Sequence, residues 1–110
     1  MASNVGVPPI VALSGASATS AAGVVLDGGE AHAYHTLVVT SSGGVSGGVV
    51  ALELSHDNVN WFAPASNIVT TAGASTVYGV TVGPVAAQFA RARISTVITG
   101  GTVTATLASA

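Results

Sequence analysis

The chain is 110 residues long, with four acidic and two basic side chains, no lysine, no cysteine and a formal net charge of -2. That length holds one domain, the missing cysteines exclude disulfides and thiolate metal sites, and two arginines cannot neutralise a phosphate backbone, which argues against nucleic acid. Charged residues make up 5% of the sequence against about 25% in ordinary soluble domains, so the surface is built largely from Ser, Thr, Gly and Ala and meets another protein with little charge to desolvate.

The chain opens Met1-Ala2-Ser3-Asn4, which lacks the basic region and apolar stretch of a secretory signal. No apolar run approaches the ~20 residues of a membrane-spanning helix. Met1–Leu13 contains Pro8-Pro9, a pair that favours an extended segment over a central strand. Ser14–Gly23 is entirely Ser, Ala, Thr and Gly. Residues 1–23 are therefore expected to form an extended arm that orders by lying on something else, and residues 24–110 a sandwich domain.

Ala33–Thr40 is the first strand candidate. Gly43-Gly44 and Gly47-Gly48 then bracket Val45-Ser46 in a tight loop. In the next strand Val50, Leu52 and Leu54 share one face, with Val49, Ala51 and Glu53 on the other. Ile68–Thr71, Ser75–Val82 and Phe89–Val97 follow, rich in β-branched residues and separated by turn-forming clusters. Gly100-Gly101 reads as a hairpin turn. Beyond it Thr102, Thr104 and Thr106 alternate with Val103, Ala105 and Leu107. No stretch has helical periodicity with caps; Val85-Ala86-Ala87-Gln88 is too short. The expected fold is all-β: an antiparallel, jelly-roll-like sandwich with an extended N-terminal arm.

Few residues offer chemistry. Ser55-His56-Asp57 has the residue types of a catalytic triad, but neighbours on an extended segment point to opposite sides. The stretch reads better as a strand end with Asp57 and Asn58 forming a turn. His32 and His35 have odd spacing, which separates them on a strand, and zinc would need further ligands; they are expected to be exposed polar residues. The glycine loop has no lysine and no following helix to cradle a phosphate. No catalytic residue, metal or cofactor is expected.

Arg91 and Arg93 are two apart and share a strand face with Phe89. They suit either a carboxylate of a neighbouring subunit or an internal bridge to Glu53 or Asp57. Of Trp61 and Phe62, one is expected to anchor the core and the other to meet solvent or a partner.

Three segments carry a resemblance: Val49–Phe62, reading VVALELSHDNVNWF, then QFARARIST, then GGTVTATLASA. Together they resemble the small β-sandwich structural proteins of tailed bacteriophages. In these a strand ends in Ser-x-Asp-(Gly/Asn)-x-x-Trp, and an aromatic-x-Arg-Ala-Arg strand leads to Gly-Gly-Thr-Val-Thr-Ala. The matching positions are Ser55, Asp57, Asn58 and Trp61, then Phe89, Arg91, Ala92 and Arg93, then Gly100 to Ala105, in the C-terminal half. Discoidin-like carbohydrate-binding sandwiches share a similar turn, and Asn58 stands where Gly is common. The resemblance implies a capsid decoration (cement) protein, made in the host cytoplasm and bound to the outer surface of the head. Its expected partners are the major capsid protein and copies of itself, as in the trimers such proteins often form. A tail or baseplate component and a carbohydrate-binding module are the alternatives. The expected partner-binding residues are Val5, Val7, Pro8, Pro9 and Ile10 of the arm, with Arg91 and Arg93.

Overall fold

A computed structural model describes residues 7–18, 23–64, 67–69 and 77–110, with 7, 8 and 67–69 as backbone alone. Nine strands run through them: β1 (Val7–Ala16), β2 (Leu26–His32), β3 (His35–Ser41), β4 (Gly47–Ser55), β5 (Trp61–Phe62), β6 (Asn67–Val69), β7 (Val77–Val82), β8 (Ala87–Thr99) and β9 (Val103–Ser109). Every pairing among them is antiparallel. Ile68–Thr71 is borne out over Ile68 and Val69 alone; Thr70, Thr71, Ser75 and Thr76 lie outside the described residues.

The first sheet has the order β1-β9-β3-β7. The second has β2-β8-β4, with β5 and β6 sharing the fourth place along the free edge of β4. Counting β5 and β6 as one interrupted strand leaves two four-stranded sheets. The chain changes sheet at every connection except the β4–β5–β6 reversal. This is the strand order of a jelly roll, in which a long antiparallel ribbon folds over on itself.

The strands form where alternation makes burial two-sided. Along β9, Val103, Ala105, Leu107 and Ser109 are buried while Thr104, Thr106 and Ala108 are not. Leu37 and Val39 of β3, Val50, Leu52 and Leu54 of β4, and Ala92 and Ile94 of β8 complete the layer between the sheets, none more than 1% exposed. Each large side chain sealed there contributes about 1.5–3 kcal/mol of transfer free energy.

Residues 7–16, placed by the sequence in an arm outside the sandwich, are the edge strand β1. Its partner is the chain's own β9, with Ile10 opposite Leu107 and Leu13 opposite Ala105. Ala12 and Leu13 are 3% and 5% exposed and belong to the core, which is what holds the segment down. Pro8-Pro9 is tolerated because an edge strand has one side with no ladder to satisfy. Among the described residues the sheets therefore begin at residue 7, ahead of the expected residue 24.

Gly100-Gly101 is not a hairpin turn. It joins β8 of the second sheet to β9 of the first, and the Gly43–Ser46 loop joins β3 to β4 in the opposite sense. Alternating Val, Ala and Thr reads the same whether the next strand pairs beside the last or across the sandwich. Between these crossovers Val45 and Ile98, 1% and 4% exposed, plug the end of the core.

Candidate functional site

The charged side chains gather on the outer face of the second sheet. With Ala90, Ala92 and Ile94 of β8 buried, Phe89, Arg91 and Arg93 point outward. The register puts Glu53 directly opposite Arg91, and Ser55 between Phe89 on one side and Trp61 on the other. Arg91 Nε donates to Glu53 Oε1 at 2.7 Å, while Arg93 Nη1 lies 3.6 Å from Oε2 of the same carboxylate. The Arg91 guanidinium also stacks over the Trp61 ring, 4.2 Å from its centroid.

Two cations thus share one carboxylate, leaving a local charge of +1 in a chain of net charge -2. Arg93, 38% exposed, holds Glu53 only loosely and has donors to spare. The arrangement suits capture of a carboxylate presented by a partner surface. The internal bridge expected from the sequence is to Glu53 and not to Asp57. Trp61 was not legible as part of this cluster, although the reversal over residues 56–60, which returns the chain beside β4, is its signal. Neither Trp61 nor Phe62 enters the core: Trp61 is half-buried under Arg91, and Phe62 is 40% exposed, edge-on to His56.

Ser55, His56 and Asp57 form a turn. Ser55 Oγ accepts from the backbone N–H groups of Asp57 and Asn58, at 3.2 and 3.0 Å, and lies 2.6 Å from the Asn60 carbonyl, to which it donates. Asp57 Oδ1 accepts from the N–H groups of Val59 and Asn60, and Oδ2 from the Asn60 side chain. Those hydrogen bonds, the Asn60 N–H foremost, hold the Asp57 carboxyl far below the usual carboxylate range. His56 turns away and donates through Nε2 to the Ala86 carbonyl at 2.7 Å. Ser55 Oγ also lies 3.0 Å from Asp57 Oδ1, so the three side chains do not line up as nucleophile, base and orienter. A shallow depression lies beside the turn, lined by His56, Asp57, Asn60 and Phe62.

The other two histidines correct the expectation of exposure: His32 is 7% and His35 1% exposed. His32 Nε2 donates to the Gly28 carbonyl at 3.1 Å. His35 Nε2 meets the Val85 carbonyl at 3.2 Å and Nδ1 meets Ser109 Oγ at 2.8 Å. A carbonyl only accepts, so Nε2 carries the proton of the neutral ring and Ser109 donates to Nδ1. Both rings sit where the chain passes from β2 to β3, and each has enough partners to remain inside. Among the described residues no three His, Asp or Glu side chains gather as a metal site.

The expected partner-binding residues do not form one site. Arg91 and Arg93 are together on the second sheet, whereas the backbones of Val7 and Pro8, exposed Pro9 and half-buried Ile10 lie at the edge of the first. Ile10 packs against the core. Val5 lies outside the described residues. No protein-family model and no curated protein matches this sequence.

Proposed function

We propose that this chain is a capsid decoration protein of a tailed bacteriophage, bound to the outer surface of the head shell and stabilising it against internal pressure. The observation that carries the reading is the scarcity of charge on a well-packed sandwich: six Asp, Glu and Arg side chains in 110 residues, and no lysine. A free monomer stays soluble through mixed surface charge. A surface of hydroxyls, methyls and backbone suits a subunit held by many small contacts in an assembly, where no buried charge has to be compensated. The Ser55–Trp61 turn, the Phe89–Arg93 strand and the Gly100–Ala105 segment add the resemblance to phage sandwich proteins.

On this reading Arg93 and the free edge of Arg91 receive carboxylates of the major capsid protein, and Pro9 with its neighbours on β1 offers a second contact. The carbohydrate-binding alternative is less well supported, because Arg91 occupies a ring face of Trp61 on which a sugar would stack.

The test is to separate virions into heads and tails and count this protein in each by quantitative mass spectrometry. Hundreds of copies with the heads are expected, and heads stripped of it should rupture at lower temperature. A few copies with the tails would transfer the protein to the tail or baseplate. Absence from both would end the virion reading.

A further inference from the structure

Every Asp, Glu and Arg side chain in the chain belongs to the second sheet or to the turn between its strands β4 and β5. Asp27 and Glu30 lie on β2, Glu53 on β4, Asp57 in the turn, and Arg91 and Arg93 on β8. The first sheet has none. Its outer face is a lattice of small side chains, with Val38 at the centre between Gly79 and Thr106 in register. Thr36 and Thr81 lie on one side of that row, and Thr40 and Thr104 on the other. These side chains alternate with the buried Leu37, Val39, Ala105 and Leu107, so they face outward. Val11 and Val77, 54% and 63% exposed, extend the same uncharged surface onto the edge strands β1 and β7.

We propose that this face binds the same face of a second copy of the chain, across a two-fold axis. The occupant follows from charge. An ordinary protein surface, about a quarter charged, would lose water from its charges here and gain no counter-charge. A second copy brings no charge to desolvate. A threonine hydroxyl both donates and accepts, so a threonine lattice is complementary to itself, as Thr36 and Thr81 already show by pairing their Oγ1 atoms at 3.0 Å. The other face of the sandwich carries four carboxylates and two arginines, charges that a second copy would have to match or desolvate.

The size of the face bounds the interface. Seven-residue strands at ~3.3 Å per residue, four abreast at ~4.8 Å, give a footprint of about 440 Å² per copy. Roughly 900 Å² over two copies is at the low end for specific interfaces, the range of reversible complexes. An interface of that size suits a reversible association, populated where the protein is concentrated. This inference does not rest on the virion reading, since it follows from the charge layout alone.

Sedimentation velocity of the purified full chain over a wide concentration range tests it. The expected result is a concentration-dependent shift from monomer to dimer that is abolished by Val38→Lys or Thr106→Lys and retained in Thr96→Lys on the second sheet. A second measurement avoids variants that fail to fold. The chain has no cysteine, so Val38→Cys should form a disulfide-linked dimer under mild oxidation while Thr96→Cys stays monomeric. A wild-type chain that remains monomeric at millimolar concentration would overturn the proposal. So would a dimer cross-linked through position 96 and not 38. Neither result would alter the number of copies found on heads or tails.

Discussion

The backbones of Gly44 and Gly100 lie against one another where the chain crosses twice between the sheets. Both adopt left-handed conformations, with φ of 93° and 83°. A Cβ on Gly44 would stand 2.8 Å from the Gly100 carbonyl oxygen, and one on Gly100 would run into the Gly44 carbonyl. The contact lies between hydrogen bonds that also join the two loops, from the Ser42 N–H to the Thr102 carbonyl and from the Ser46 N–H to the Thr99 carbonyl. Alanine at either position should therefore combine backbone strain with a clash against backbone, which cannot move aside. Gly44→Ala and Gly100→Ala are each expected to lower stability by about 2 kcal/mol or more. Gly15→Ala is the control: its φ is 58° but no atom lies within 4 Å of the added Cβ. It should cost only the left-handed strain, about 1 kcal/mol. Urea unfolding midpoints measure all three.

In the 55–60 turn, Asn58 has φ of 61°, a conformation that Gly adopts freely and β-branched residues avoid. Asn58→Gly should change stability by less than about 0.5 kcal/mol, while Asn58→Val should cost about 1–2 kcal/mol. Ser55→Ala should cost about 1–3 kcal/mol, because the fully buried hydroxyl serves two backbone donors and one carbonyl. Thermal melts of the three variants give the ranking.

The buried Ser41 hydroxyl has no hydrogen-bond partner among the described residues. Burying an unpaired hydroxyl is unfavourable, so Ser41→Ala should be neutral or stabilise by about 1 kcal/mol. A loss above that size, in chemical denaturation, would mean the hydroxyl has a partner after all.

The Arg91 side chain combines an ion pair and a stack. Its Nε bond to Glu53 and its contact with Trp61 both depend on a planar guanidinium. Arg91→Lys should therefore cost about 1 kcal/mol despite keeping the charge. The chain has a single tryptophan, so the same substitution should also shift the fluorescence of Trp61. An unchanged spectrum would show that the stack does not persist in solution.

Burial holds the His35 pKa below its ordinary value near 6.5, against the opposing pull of the hydrogen bond to the Val85 carbonyl. The unfolded chain then takes up the proton first as pH falls. Stability should decline below about pH 6.5 and continue to do so until the folded ring is itself protonated. Asp57 adds a second loss, beginning near pH 4, since its folded carboxyl keeps its charge to lower pH than the unfolded one. Denaturation free energies at pH 7.5 and 5.5 should differ in the wild type and converge in His35→Gln. Equal values in the wild type would remove His35 as the source of acid sensitivity.

Much of this architecture is local and was legible residue by residue. The inward Val50, Leu52 and Leu54, the outward Arg91 and Arg93, and the Asp57–Asn58 turn follow from period-two alternation and turn chemistry, which need only near neighbours. Glu53 as the partner of the arginines was one of two acidic candidates, and register decided between them. The burial of His35 was not readable, because its partners Val85 and Ser109 are 50 and 74 residues away in sequence.

The sequence by itself determined an all-β chain, poor in charge, whose faces could be sorted into inward and outward. Tertiary structure alone decided that residues 7–16 complete a sheet, that Gly100-Gly101 crosses between sheets, and that all six charges fall on one side. The physical reason is that side-chain alternation specifies which way a residue points but not which strand lies beside it. Val, Ala and Thr present nearly the same surface to any neighbour, so pairing is settled only when the whole ribbon closes around one core.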